Sequence, residues 1–155
     1  VMKFKSPTYG TLEKEQVFKY LKKTILQEKG NYKVIVGTDS QNTYKTKMVV
    51  VICLINEGRG GVFFYHIDML PKIKNLNTKI YTETEKSLEI ARELNEYFHE
   101  EGIRADVEIH VDIGREGKTK DLIQSILGWI TAEGFVAKIK DESYVASTIA
   151  DRISK

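Results

Sequence analysis

Gly37-Thr38-Asp39-Ser40-Gln41 follows directly on Tyr32-Lys33-Val34-Ile35-Val36, and this junction decides how the rest of the chain is read. The β-branched run reads as a buried strand. An Asp at the end of such a strand is costly to bury unless it meets a cation, a hydrogen-bond network or water. Gly37 admits close approach of another backbone or a ligand. Taken alone, the pentapeptide also suits an acid that opens a turn with an Asx-type hydrogen bond.

A second stretch bears on that choice. Ala105-Asp106-Val107-Glu108-Ile109-His110-Val111-Asp112-Ile113 alternates apolar and polar residues before Gly114. It reads as a strand whose last acid, Asp112, again sits at the end. If the two strands are neighbours and parallel, their ends lie roughly 5 Å apart. Carboxylates at that spacing raise each other's proton affinity unless a cation separates them. Mg²⁺ and Mn²⁺ sites are built from such oxygen ligands.

Length and composition fit a single domain over residues 1–155 with one core. Charged residues make up 30% and hydrophobic residues 41%, within the range of globular proteins. The net charge of +2 supplies no global basic field of the kind that announces nucleic acid. Cys53 lies inside the apolar run Val49–Ile55 and reads as a buried thiol, not a nucleophile. One cysteine forms no internal disulfide, which suits a reducing, cytoplasmic location. No long apolar span suggests a membrane partner.

Taken in order, the chain is expected to begin with a helix over about 11–29, capped by Thr11 and stopped by Gly30. Strands follow at 32–39, 48–55 and about 62–69, joined by short polar connections that favour an antiparallel meander. A lysine-rich loop spans 71–79, with Lys72, Lys74 and Lys79. The second helix is expected from about Thr82 to Glu101, then a strand at 105–113. A helix at about 119–132, a strand at 135–139 and a last helix at about 143–153 complete one mixed sheet covered by helices.

The second helix carries Glu83 and Glu85. Ser87, Leu88, Ala91, Leu94 and Phe98 mark its buried stripe, and Glu83 shares that stripe. Glu85 aligns with Glu89, Arg92 and Glu96 and fits a Thr82-x-x-Glu85 capping box. Glu83 is thus the acid expected to face the sheet, although a first-turn acid also suits a helix dipole.

These residues resemble a known family. Gly-Thr-Asp-Ser-Gln at 37–41, Glu83 with Ser87-Leu88, His-Val-Asp-Ile-Gly at 110–114 with Gly117-Lys118-Thr119, and the ending with Lys140, Ser143, Ala146-Ser147 and Ala150-Asp151 carry the likeness. The pattern resembles the uncharacterised bacterial ribonuclease H-like family, a branch of the ribonuclease H superfamily. The resemblance implies an α/β, ribonuclease H-like fold. Its five-stranded mixed sheet would have the order 3-2-1-4-5, counting the strands named above, with helices on both faces. It further implies that Asp39, Glu83, Asp112 and Asp151 hold Mg²⁺ or Mn²⁺ and form the catalytic set. The family pattern has Lys-Pro before the final Ser, whereas Lys140 is followed here by Asp141-Glu142, so Asp141 competes with Asp151 for the fourth place.

Other constellations are weaker. Gly114-Arg115-Glu116-Gly117-Lys118-Thr119 lacks the first Gly of a phosphate loop, because that position is Asp112. A loop entering a helix still offers N–H groups to an anion, which makes Lys118 a candidate phosphate contact. Ser40 and Gln41, next to Asp39, are further candidate substrate contacts. His110 shares the strand face of Asp112 and reads as a substrate or proton-relay group or as a hydrogen-bonded core histidine. Lys72, Lys74, Lys79, Arg59 and Lys118 form a possible basic rim, and Tyr44 a possible base-stacking residue.

The resulting expectation is a divalent-metal-dependent nuclease that hydrolyses RNA, DNA or hybrid. The competing readings are a non-catalytic nucleic-acid-binding module of the same fold and a nucleotide-binding protein.

Overall fold

A computed structural model describes residues 2–113, 120–139 and 153. The chain opens with a hairpin, β1 (Lys3–Ser6) and β2 (Gly10–Glu13), followed by α1 (Lys14–Gln27). The long strands β3 (Tyr32–Asn42), β4 (Thr46–Asn56) and β5 (Gly60–Leu70) form a continuous antiparallel meander. Then come α2 (Leu76–Glu100), β6 (Asp106–Val111), α3 (Lys120–Ala132) and β7 (Val136–Ile139).

The sheet has seven strands in the order β2-β1-β5-β4-β3-β6-β7, not five, so the expected order needs correction. The difference is the N-terminal hairpin, which extends the sheet beyond β5. Thr11 caps no helix; it lies on β2 opposite Lys5. The turn is set by Ser6, whose Oγ accepts from the N–H groups of Thr8 (3.2 Å) and Tyr9 (3.4 Å). Gly10 then takes a positive φ of 71°, where a Cβ would be strained. α1 starts only at Lys14, with the Glu13 N–H donating to Gln16 Oε1 at 2.8 Å.

α2 also begins earlier than the sequence reading placed it. Asn75 is its N-cap, and the side-chain Oδ1 accepts from Thr78 N–H at 3.0 Å. Thr82 therefore caps nothing. Its hydroxyl donates back to Thr78 O at 2.7 Å inside the helix, and no Thr82–Glu85 capping box forms. Glu83 consequently stands beyond the first turn, where the helix dipole no longer explains an acid.

One large core cluster joins buried side chains of all three helices to one sheet face, including Val34, Val36, Ile52 and Ile109. Burying each large apolar side chain there contributes about 1.5–3 kcal/mol. The opposite face carries Ile35, Val49, Val51 and Cys53, with Ile153 packed against them. Lys47 Nζ donates to Ile153 O at 2.9 Å, and Ile153 is helical. Helices on both faces were expected; the described helices α1, α2 and α3 all contribute to the first face, and the expected last helix lies outside the described residues apart from Ile153. Burial pushes the Cys53 thiol up to about 12, which leaves it an inert packing group. Among the described residues, no helix is long and apolar enough to cross a membrane.

Candidate metal centre

The central geometric fact is the pairing of β3 and β6. They run parallel, with Val36 opposite Ile109 and Gly37 opposite His110. Extended two residues, to Asp112 just past the end of β6, that register would bring Asp39 level with Asp112, at one strand spacing of roughly 4.8 Å. β3 does not stop at Asp39 as the sequence suggested. It runs on to Asn42 because β4 continues to pair with it, Asp39 opposite Val49 and Asn42 opposite Thr46. Asp39 is therefore a buried acid within a strand, 6% exposed, and Asp112 is half-buried just past β6.

α2 is latched to β3 by two buried polar contacts. Thr38 Oγ1 and Ser87 Oγ lie 2.8 Å apart, and Ser40 Oγ donates to Glu83 Oε2 at 2.5 Å. The periods match: alternate residues of a strand and residues four apart on a helix each advance about 6–7 Å. Thr38 and Ser40 thus meet Ser87 and Glu83 on one line, and Glu83 is held against the sheet, 6% exposed. Glu85 is exposed and paired with Arg92 at 3.1 Å, which in turn reaches Glu133 at 2.5 Å.

Glu83 is the electrostatic centre of this arrangement. Burial raises its pKa from an ordinary 4.5 to about 8; the Ser40 hydroxyl opposes the rise, the Asp39 carboxylate adds to it, Lys79 opposes it and Asp112 adds to it. Lys79 lies four residues before Glu83 on the same helix, within the reach of an i, i+4 pair. Without a counter-cation, Glu83 carries a proton at neutral pH.

His110 contacts Glu108 on its own strand. Its Nε2 lies 3.2 Å from Glu108 Oε2, and Glu108 Oε1 is 3.2 Å from Lys33 Nζ. Burial lowers the His110 pKa despite the carboxylate of Glu108, so the ring is neutral near pH 7. Burial acts to raise the Glu108 pKa, yet the contacts with His110 and Lys33 outweigh it and leave it low. Among the described residues, His110 Nδ1 has no hydrogen-bond partner. Gln41 is half-buried on β3 opposite Lys47. Asp151, its rival Asp141, and Lys118 lie outside the described residues.

The donor set of Asp39, Glu83 and Asp112 is all carboxylate oxygen, which suits Mg²⁺ or Mn²⁺ rather than a softer metal. A carboxyl pushed up chiefly by burial, with Asp39 and Asp112 adding to the rise, is also what an ion would relieve. Among the described residues, no three His, Cys, Asp or Glu side chains are already gathered around one point as a metal group. In this conformation Glu83 is turned to Ser40.

The sequence reading missed two features. The placement of Lys79 one helical turn before Glu83 was hidden by starting α2 too late. The polar knot at Thr46 was missed because that residue was assigned to a connection. Thr46 is fully buried, donates to Asn42 Oδ1 at 2.7 Å and accepts from Ile73 N–H at 2.8 Å.

Comparison with known proteins agrees with this geometry. Residues 16–155 match the family model described as Ribonuclease H-like. The chain is also 37% identical over 142 residues to "Uncharacterized protein YkuK" of Bacillus subtilis (strain 168), covering 82% of this chain and 81% of that protein. No solved structure matches significantly. With a parallel β3–β6 pair that leads to Asp39 and Asp112, and a family match over most of its length, the chain belongs to the ribonuclease H-like family.

Proposed function

We propose that this protein is a divalent-metal-dependent nuclease that hydrolyses phosphodiester bonds of nucleic acid. The observation that carries the reading is the buried Glu83 carboxyl, pushed up to about 8 beside Asp39 and Asp112. A buried cluster of acids costs stability and is retained where it does chemistry. Asp39, Glu83 and Asp112 are the residues that would hold Mg²⁺ or Mn²⁺, with Asp151 as the proposed fourth. When bound, such cations lower the pKa of attacking water and stabilise the leaving oxygen.

The chain's own groups set up that chemistry. β3 holds Asp39 on paired strand backbone, which preorganises that acid, and β6 delivers Asp112 one residue past its end. Ser40 orients Glu83, and Thr38–Ser87 fixes the height of α2 over the strand. Lys79 favours the ionised form of Glu83 and so its readiness to take up a cation. Ser40 and Gln41 on β3, and Lys118, are the proposed substrate contacts beside the acids. His110, tied to Glu108, is proposed to support the strand end that carries Asp112.

The test is cleavage of single-stranded RNA, single-stranded DNA and hybrid with Mg²⁺, Mn²⁺ or chelator, for wild type and Asp39→Asn. Asn keeps the shape and removes the charge that a hard cation needs. Cleavage should require the metal and fall at least about a hundredfold in the variant, as on removal of other transition-state charge stabilisers. Cleavage that survives in chelator or in Asp39→Asn refutes the assignment. Absence of cleavage with nucleic-acid binding intact would instead support a binding module.

A further inference from the structure

The β3–β4 turn and the segment before α2 are tied into one rigid unit at the margin of the site. Three hydrogen bonds do this. Thr46 Oγ1 donates to Asn42 Oδ1 (2.7 Å), Ile73 N–H donates to Thr46 Oγ1 (2.8 Å), and Asn42 Nδ2 donates to Ile73 O (2.8 Å). Each group in this ring is used, and Thr46 is fully buried. The turn is closed by Thr43 N–H donating to Lys45 O at 2.9 Å. Such a knot removes the freedom that a surface hairpin and its neighbouring loop ordinarily keep.

What this unit presents is unusual for a rigid turn. Tyr44 stands at its tip, 80% exposed, the most exposed of the large hydrophobic residues described. Lys45 flanks it, and Lys72 and Lys74 are exposed on the tied segment. Residues 40–47 and 69–82 contain five lysines and no Asp or Glu. The nearest acid on β5, Asp68, is neutralised by Lys86 at 2.8 Å. This local positive field contrasts with a net charge of only +2 for the chain. It also adjoins the carboxylates: Asn42 is three residues along β3 from Asp39, about 10 Å of strand. Lys79, at the far end of the lysine-bearing stretch, lies on α2 four residues before Glu83.

We infer that the Tyr44 turn and the Lys72–Lys74 segment form a docking platform for single-stranded nucleic acid, with Tyr44 stacking on an unpaired base and Lys45, Lys72 and Lys74 meeting consecutive phosphates. The choice of single strand rests on the tyrosine. A base inside a duplex has both faces covered, so an isolated exposed ring gains its stacking only from an unpaired one. The choice of nucleic acid rests on the lysines, which complement a phosphate backbone. Two acid-free segments, 40–47 and 69–82, beside Asp39 and Glu83 separate the two tasks: phosphates are attracted to the platform and the scissile bond is carried to the acids. The inference rests on the proposed nuclease reading for its purpose, but the platform binds without metal.

The test therefore measures binding in chelator, where no hydrolysis occurs. Fluorescein-labelled oligo-uridine and oligo-thymidine of roughly 12 nucleotides, near the span of one such surface, are compared with blunt RNA and DNA duplexes of equal length by fluorescence anisotropy. Both single strands should bind more tightly than either duplex. Tyr44→Ala should weaken single-strand binding on the order of tenfold, the size of one lost base stack. Tyr44→Phe should retain it. Replacing Lys45, Lys72 and Lys74 together by Gln should reduce the slope of log affinity against log salt by about 2, near 0.7 for each single-strand phosphate contact.

The platform is refuted if Tyr44→Ala binds normally, if Tyr44→Phe is as weak as Tyr44→Ala, if duplexes bind as well as single strands, or if nothing binds. Tyr44-dependent binding without any metal-dependent cleavage keeps the platform and refutes the nuclease. Metal-dependent cleavage indifferent to Tyr44 does the reverse.

Discussion

Glu83→Gln in metal-free protein probes the buried acid directly. Glutamine fills the same space and still accepts from Ser40, but it does not titrate. In the wild type, the Glu83 pKa rises from 4.5 to about 8 on folding, chiefly by burial. At about 1.4 kcal/mol per tenfold change, the displacement sets an upper bound of about 5 kcal/mol. The sign follows from linkage. A group whose pKa is higher in the folded state gives stability that is complete below the unfolded value and is lost as pH rises through the folded one. Between pH 4.5 and about 8, the folded wild type holds a proton that the unfolded chain releases, so its stability falls with rising pH. The variant lacks this dependence. Urea denaturation in chelator, from about pH 5 to about pH 9, should show wild type losing several kcal/mol relative to Glu83→Gln, with the loss levelling off above the folded pKa. Saturating Mg²⁺ should reverse most of the loss at high pH, because the cation binds the ionised carboxylates. A difference between the two proteins that is flat, or that grows in favour of wild type as pH rises, refutes the burial and crowding argument.

Thr46→Val should destabilise by about 1–3 kcal/mol, read as a lower urea midpoint, because it leaves the Ile73 N–H and Asn42 groups without their buried partner. Glu85→Gln should change stability by less than about 1 kcal/mol and leave metal binding intact, since Glu85 forms an exposed pair with Arg92. Asp39→Asn should melt no lower than wild type in chelator, and higher if relief of carboxylate repulsion dominates, while losing any Mn²⁺-dependent rise in melting temperature.

Much of this site was legible in the sequence because strand periodicity is local. The β-branched run at 32–36 and the alternation at 105–111 locate β3 and β6, and the acids at 39 and 112 stand out against apolar neighbours. The stripe through Ser87, Ala91 and Leu94 likewise separates buried Glu83 from exposed Glu85. Strand ends and edge elements were less legible. β3 runs past Asp39 to Asn42 because β4 supplies partners there, a tertiary fact with no local signal. The hairpin of β1 and β2 is short, and its strands gain stability from Phe4 packing in the core and from β5 alongside. Only the Ser6-Pro7-Thr8-Tyr9-Gly10 turn could have announced it. At α2, two capping signals competed. Asn75 prevailed over Thr82 because Ile80 also belongs to the buried face, which extends the apolar stripe toward the N-terminus.

The most direct measurement of the central claim is anomalous diffraction from crystals soaked in Mn²⁺. The expected result is a peak bounded by the carboxylates of Asp39 and Asp112, with Glu83 turned from Ser40 toward it, and no such peak in Asp39→Asn. A peak elsewhere, or none at full soak with the Glu83–Ser40 hydrogen bond unchanged, would contradict a metal centre built from these acids.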